Sequence, residues 1–506
     1  MTVRAWRTHK ETGDMKYILA VDQSTQGTKG LLFDGEGRLA ARADRAHRQI
    51  INEKGWISHD PMEILRNTLG VCRDVLGKAG VAAGDVEAFG ISNQRETSLM
   101  WDRETGKPVC DAIVWQCARA AEIAELHERA GEADKIWKKT GLRLSPYFPA
   151  AKLQWIMEHV PEARALASRG MLAAGTIDTW LVWNLTEGHQ FRTDYSNAAR
   201  TQLFNSFGLM WDKDLLRMFG IPESAMPEVS MSDSVFGMTD LGGLLPKAVP
   251  VCGVLGDSNG ALFGQNCRKS GGIKATYGTG SSVMMNIGEK PVLSESGLVT
   301  SIAWGIGGKV SYVLEGNLNY TGAVITWLKD EMHLISSAGE TEELAENANP
   351  KDRSYFIPAF TGLGAPYWDS EATGLFTGIT RTTGRNEMVR ACLDSIAYQI
   401  TDLVKIMRKE SGQAVRRLHV DGGPTANRYL MQFQASMAET DVIVPDLQEL
   451  SGMGAAYLAG ISCGLYDSER IFEHVRHSVY RPDMDGETRE LLYGGWKKAV
   501  AQALTH

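Results

Sequence analysis

Asp257 lies in the stretch "VLGDSNGALFGQ", where an apolar run ends on a carboxylate and small residues follow at once. Aspartate is disfavoured inside a strand and favoured at a helix N-cap, so one reading makes it a cap. The other presents it at a strand end, facing a cleft, where it can take a proton from a reacting hydroxyl. Arg95 and Glu96, in "GISNQRETS", follow a second apolar run. A fork of donors beside an acceptor suits a hydroxylated ligand, although such pairs are also common on solvated surfaces.

A phosphate needs several donors at short range, and backbone N–H groups supply them where side chains are small. "DQSTQGTKG" offers such a turn, with Asp22, the hydroxyls of Ser24, Thr25 and Thr28, and the cation of Lys29. "TYGTGSS" offers another through Gly278, Thr279 and Gly280. In "VDGGPTAN", Gly422 and Gly423 leave bare backbone on which a flat base or ribose can lie, and Asn427 adds a donor and an acceptor. Each turn alone reads equally as an ordinary hairpin or strand-to-helix connection. No Gly-Lys is followed by Ser or Thr and no G-x-G-x-x-G occurs, so neither a P-loop nor a Rossmann fingerprint is present.

The elements that must position these groups follow from apolar runs and turn residues. "YILAVD" and "GLLFDGEGRLA" read as strands joined by the first polar turn, with a second hairpin at Asp34-Gly35. A helix is expected over 61–77, then a strand at "VEAFGIS". The grammar returns in "GGIKATYGTGSSVMMNIG", and "RRLHVDGGPTANRYLMQFQASMA" reads as strand, glycine turn and helix. The pattern is one α/β domain used twice, over 17–265 and 266–506, with a cleft between the copies and Asp257 just before the division. Residues 1–16 read as a disordered extension.

Composition narrows the classes. The chain has 506 residues, 43% apolar and 23% charged, which is globular. A net charge of −8 speaks against general binding to nucleic acid or an anionic membrane. The seven cysteines form no C-x-x-C pair, which disfavours a disulfide framework or structural zinc and fits a reducing, cytoplasmic setting. The uncharged run from Leu450 to Tyr466 falls short of the roughly 20 apolar residues of a membrane span.

Long segments resemble the FGGY carbohydrate kinases, and among these the glycerol kinases most: "GISNQRETS", "DAIVWQCARAAEI", "GTIDTWLVWNLTEG", "PAFTGLGAPYWD", "DSIAYQITDLV", "LMQFQ", "GAAYLAGI" and "YGGWKKAV". The resemblance runs from about Tyr17 to Ala503. It implies two RNase-H-like domains of the actin/hexokinase/Hsp70 type that close on MgATP and a polyol. On that footing Asp257 is the catalytic carboxylate, and Asp22 and Asp257 meet Mg²⁺ through water. Arg95, Glu96, Trp115, Tyr147, Ser258 and Ser282 fall at the polyol site. ATP contacts fall on Ser24, Thr25, Gln26, Lys29, Gly278, Thr279, Gly280, Gly316, Thr326, Gly422, Gly423 and Asn427.

The match has gaps. Where glycerol kinases carry a substrate-contacting glutamine and a packing phenylalanine, this chain has Ser258 and Ser282; Asn259 also replaces a glutamine, and Lys29 an arginine. Thr326 stands where a nucleotide-side glutamine is frequent, and "LGGLLPKAVP" lacks the run that binds fructose 1,6-bisphosphate in some members. Two losses of bulk in the pocket lead to the expectation of a substrate longer than glycerol, a four- or five-carbon polyol or ketose. The expected activity is ATP-dependent phosphorylation of a small polyol or sugar hydroxyl. A nucleotide-binding sensor without turnover and a substrate-independent ATPase are the other readings, and a homodimer or homotetramer is compatible with either.

Overall fold

The computed structural model describes residues 15–505, so most of the proposed N-terminal extension lies outside the described residues. The first sheet begins with the fully buried strand β1 (Tyr17–Gln23), which pairs antiparallel with β2 (Gly27–Asp34), itself antiparallel to β3 (Leu39–Ala46). Helix α1 (Pro61–Ala79) follows; the Asp60 side chain caps its first turn by accepting from the Met62 N–H, and Gly80 ends it at φ +64. It carries the chain over to β4 (Val86–Asn93), parallel to β1. Strands β5 (Gly237–Thr239) and β6 (Val249–Gly256) complete the order β5-β6-β4-β1-β2-β3, with β6 parallel to β4.

After helix α2 (Asp257–Gly264) the plan repeats. Strand β7 (Ile273–Tyr277) forms a hairpin with β8 (Ser281–Gly288), and β9 (Val299–Ile306) and β10 (Lys309–Leu318) extend that edge antiparallel. Helices α3 (Gly322–Asp330) and α4 (Arg385–Ser411) lead to β11 (Arg417–Asp421), parallel to β7. Helix α5 (Arg428–Ala438), strand β12 (Asp441–Pro445), helix α6 (Leu450–Ser462) and strand β13 (His477–Tyr480) complete the order β9-β10-β8-β7-β11-β12-β13. In both sheets the opening hairpin sits beside two parallel strands, so the doubled α/β organisation expected from the turns is present.

The sheets meet through helices. Helices α2 and α6 pack against each other with Ile18, Ala20 and Leu31 of the first sheet on one side and Met284, Ala303 and Val313 of the second on the other. Close approach requires glycine here: a Cβ on Gly454 would overlap the Gly260 carbonyl. Although α6 comes late in the chain, it lies on the first lobe, where Tyr457 and Tyr466 donate to the carbonyls of Gly37 and Asp34 at 2.9 and 2.7 Å. The uncharged run from Leu450 is thus an interlobe helix, and no described helix is long and apolar enough to cross a membrane.

One feature of the first lobe escaped the sequence reading. A five-stranded antiparallel sheet, including Ser98–Asp102, Ala112–Ile113 and Leu172–Thr176, builds a separate layer with its own core around Ile123, Leu153 and Phe219. Its strands are as short as two residues, below the length at which periodicity is legible. This layer carries Trp115 and anchors the loop that presents Arg95 and Glu96.

Candidate active site

Strand β6 ends at Gly256, which takes the N-cap position, so Asp257 is the first helical residue of α2 rather than its cap. Its Oδ1 accepts from the Ser258 N–H at 2.6 Å, and the side chain remains 36% exposed at the meeting of the lobes. Nε of Arg95 lies 3.6 Å from Oδ1. Enclosure raises the carboxyl above its ordinary value; Arg95 pulls it down, Glu96 pushes it up, and the net shift is upward. A carboxylate with raised basicity is a better proton acceptor.

Arg95 and Glu96 sit on the turn after β4, almost fully buried. Glu96 has φ +62, a left-handed conformation that costs a branched-off side chain of this kind about 1 kcal/mol or more and recurs at functional sites. Glu315, at the centre of β10 in the other lobe, accepts from both Nη groups of Arg95 at 3.1 and 2.7 Å. Arg200, just beyond the short helix Tyr195–Ala198, donates from Nη1 to Glu315 at 2.9 Å and from Nε to Glu96 at 2.5 Å. Burial alone would raise the Glu315 carboxyl, but Arg200 and Arg95 outweigh it and hold it well below the usual carboxylate range. The Nη end of Arg95 is therefore occupied by protein, and its Nε edge faces Asp257.

Beside this network stands an aromatic wall. Trp115 and Tyr147 meet edge to face with ring centroids 5.5 Å apart, and Trp115 Nε1 donates to Thr25 Oγ1 at 2.8 Å. Trp115 thus touches the first polar turn directly. Behind them, buried Lys152 donates to the Tyr147 carbonyl, and burial lowers its ammonium to about 7.

The first turn is partly self-satisfied. Ser24 donates from its hydroxyl to the Gly27 carbonyl at 3.0 Å, Thr28 faces inward, and Gln26 is exposed. Lys29 Nζ lies 2.8 Å from Glu449, immediately before α6, and 3.8 Å from Asp22. Asp22 is buried and accepts from the Ser92 hydroxyl at 2.8 Å; burial, partly opposed by Lys29, raises its carboxyl to about 6.

The second and third turns border one cavity of about 1020 Å³, lined among others by Gly278, Thr279, Gly322, Thr326, Gly423 and Asn427. The N-terminus of α3 straps the second turn: the N–H groups of Gly322 and Ala323 donate to the carbonyls of Gly278 and Thr279 at 2.9 and 3.0 Å. Gly280 is pressed against the Leu318 carbonyl, where no side chain fits. Gly422 has φ +99 and lies so close to the Tyr277 carbonyl that a Cβ would overlap it. Gly423 has open space where a side chain would be. Asn427 accepts from the Leu430 N–H as the cap of α5 and donates to the Thr341 hydroxyl at 3.0 Å, which fixes the orientation of its amide beside the cavity. Gly316 lies inside β10 against Leu403 and Leu298 rather than on this cavity; Gly322 is the glycine that borders it.

Of the residues that depart from the resemblance, Asn259 is buried and donates to the carbonyls of Ile302 and Ala303 at 3.0 and 2.9 Å, bridging α2 to β9. It serves the lobe interface. Ser258 stays half-buried beside Asp257. The register β7–β8–β10 puts Lys274, Thr276, Ser282, Glu315 and Asn317 on one face of the second sheet. The Ser282 hydroxyl is buried there with no partner.

Sequence reasoning missed Glu315, Arg200, Lys274 and Glu449. Glu315 did carry a signal, an acid inside the apolar run "YVLEG"; Arg200 in "NAAR" carried none.

The N-terminal domain model of the FGGY family of carbohydrate kinases matches residues 17–264, and the C-terminal domain model matches 273–463. The chain is 46% identical over 491 residues to the glycerol kinase of Treponema denticola, covering 97% of this chain and 99% of that protein. It is also 46% identical to glycerol kinase 1 of Thermotoga maritima, covering 97% of this chain and 100% of that protein. Among solved structures, Plasmodium falciparum glycerol kinase with ADP superposes with a TM-score of 0.93 at 34% identity, covering 98% of this chain and all of that one. A ligand-bound xylulose kinase from Lactobacillus acidophilus shares the fold, with a TM-score of 0.85 at 22% identity over 96% and 97% of the two chains. With both domain models and full-length relatives in register, the chain belongs to the FGGY family of carbohydrate kinases.

Proposed function

We propose that the chain transfers the γ-phosphoryl group of ATP to a hydroxyl of a small polyol held against Trp115, Tyr147, Glu96 and the Nε edge of Arg95. The observation that carries this reading is Asp257, a carboxylate of raised basicity at the lobe boundary with one face open. An alcohol is too weak an acid to attack as an alkoxide, so catalysis is mainly positioning plus charge stabilisation. Asp257 orients the acceptor hydroxyl and takes its proton as the new O–P bond forms and the bond to the β,γ-bridging oxygen breaks. Glu96 keeps one oxygen for a substrate hydroxyl while Arg200 holds the other. The adenosine lies in the cavity between Gly278, Thr326 and Gly423, with its phosphates toward the first turn. Asp22, a buried carboxylate 3.8 Å from Lys29, would hold a hard divalent cation such as Mg²⁺ through water, with Asp257 as the other carboxylate toward it. When bound, that cation would supply charge neutralisation on the phosphates.

Ser282 favours a second, narrower reading: a substrate longer than glycerol. A buried hydroxyl without a partner is costly, about 1–3 kcal/mol, and an additional substrate hydroxyl would satisfy it. A coupled ADP-release assay across glycerol, tetritols and pentuloses tests both readings. Polyol-stimulated release is expected, with kcat/KM greater for a four- or five-carbon acceptor. Glycerol winning by about tenfold or more would discard the longer substrate. Release that ignores every acceptor would discard the kinase reading.

A further inference from the structure

The proposed mechanism uses Arg95 and Glu96 but leaves the two charges that hold them without a task. Glu315 belongs to the second sheet, whereas Arg95, Glu96 and Arg200 belong to the first lobe. The four side chains are each at most 6% exposed, so this is a closed charge cluster built across the lobe boundary. Its geometry is directional. Glu315 takes both Nη groups of Arg95, and Asn259 Oδ1 approaches Nη1 at 3.5 Å. Nε lies on the other side, 3.6 Å from Asp257 and 3.9 Å from Glu96.

Resting on the assignment of Asp257 as the base, we infer that Glu315 is a positioning residue: it holds Arg95 edge-on to Asp257 when the lobes are closed, and Arg200 braces it. A guanidinium released from Glu315 would turn its two-donor face onto the Asp257 carboxylate, the arrangement carboxylates bind most strongly. The base would then be tied up and less basic. Glu315 comes from the second sheet, so readiness of the base depends on both lobes through one carboxylate. Glu315 is satisfied only when both lobes contribute, because both its partners, Arg95 and Arg200, come from the first lobe.

The groups that set the charge on Asp257 are Arg95 and Glu96 from the β4 turn, Lys274 from β7 and Asp22 from β1. Glu315→Gln keeps the shape and removes the charge. With a polyol the wild-type enzyme turns over, kcat is expected to fall at least about tenfold and KM for ATP to stay within about threefold. A merely structural residue would lower the unfolding temperature without separating kcat from KM in this way. If Glu315→Gln does not fold, Glu315→Asp keeps the charge but draws the carboxylate back from Arg95, and a smaller loss of kcat with KM for ATP little changed is expected. A folded variant of either kind with unchanged kcat overturns the inference. Absence of polyol-stimulated turnover in the wild type would instead overturn the kinase reading.

Discussion

At the scale of single residues, the site separates groups that are free to meet a ligand from groups already held by protein. Asp257 keeps an open face, whereas the Nη end of Arg95 is held by Glu315. Asp257→Asn should therefore lower kcat by about 10²–10⁴ while the thermal unfolding temperature and ADP affinity stay close to wild type. A folded variant with undiminished turnover would remove Asp257 from the mechanism. The raised Asp257 carboxyl also sets a sign. A base must be ionised, so kcat/KM should decline on acidification at a pH above the ordinary carboxylate range, and Asp257→Asn should abolish that limb.

Among the elements, the three turns differ in how their geometry is enforced. The third depends on Gly422, because neither its φ of +99 nor its approach to the Tyr277 carbonyl allows a side chain. Gly422→Ala should push β11 away from β7 and raise KM for ATP several-fold or more, with polyol affinity little changed; equal losses for both substrates would show that the turn does not act on the nucleotide alone. All three turns were legible in the sequence because small residues between apolar runs are a local signal. Their partners were not. Lys29 reads as a free cation, yet it is paired with Glu449, 420 residues away. Gly316 looked equivalent to the other glycines, and only the strand around it shows that it packs against Leu403. The antiparallel layer bearing Trp115 was also hidden, since its two-residue strands leave no periodicity to read.

For the whole molecule, α2 and α6 join the two sheets through a shared core. Each contributes to a core that contains residues of both lobes, so the lobes should not lose structure independently. Gly454→Val forces a side chain into the Gly260 carbonyl, a clash of about 1–3 kcal/mol or more. The unfolding temperature should drop by roughly 3 °C or more in a single calorimetric transition. Two resolved transitions would show that the lobes are energetically separate.

The sequence by itself determined the doubled strand–turn–strand plan, the family, and the carboxylate that follows β6, because these depend on residue type and short spacing. Tertiary structure alone decided which of those groups remain available. Hydrogen-bonding capacity is finite, and what consumes it here comes from far along the chain: Glu315 takes the end of Arg95 from 220 residues away. A residue's type states what it can bind; its folded neighbours decide what it has left to bind with.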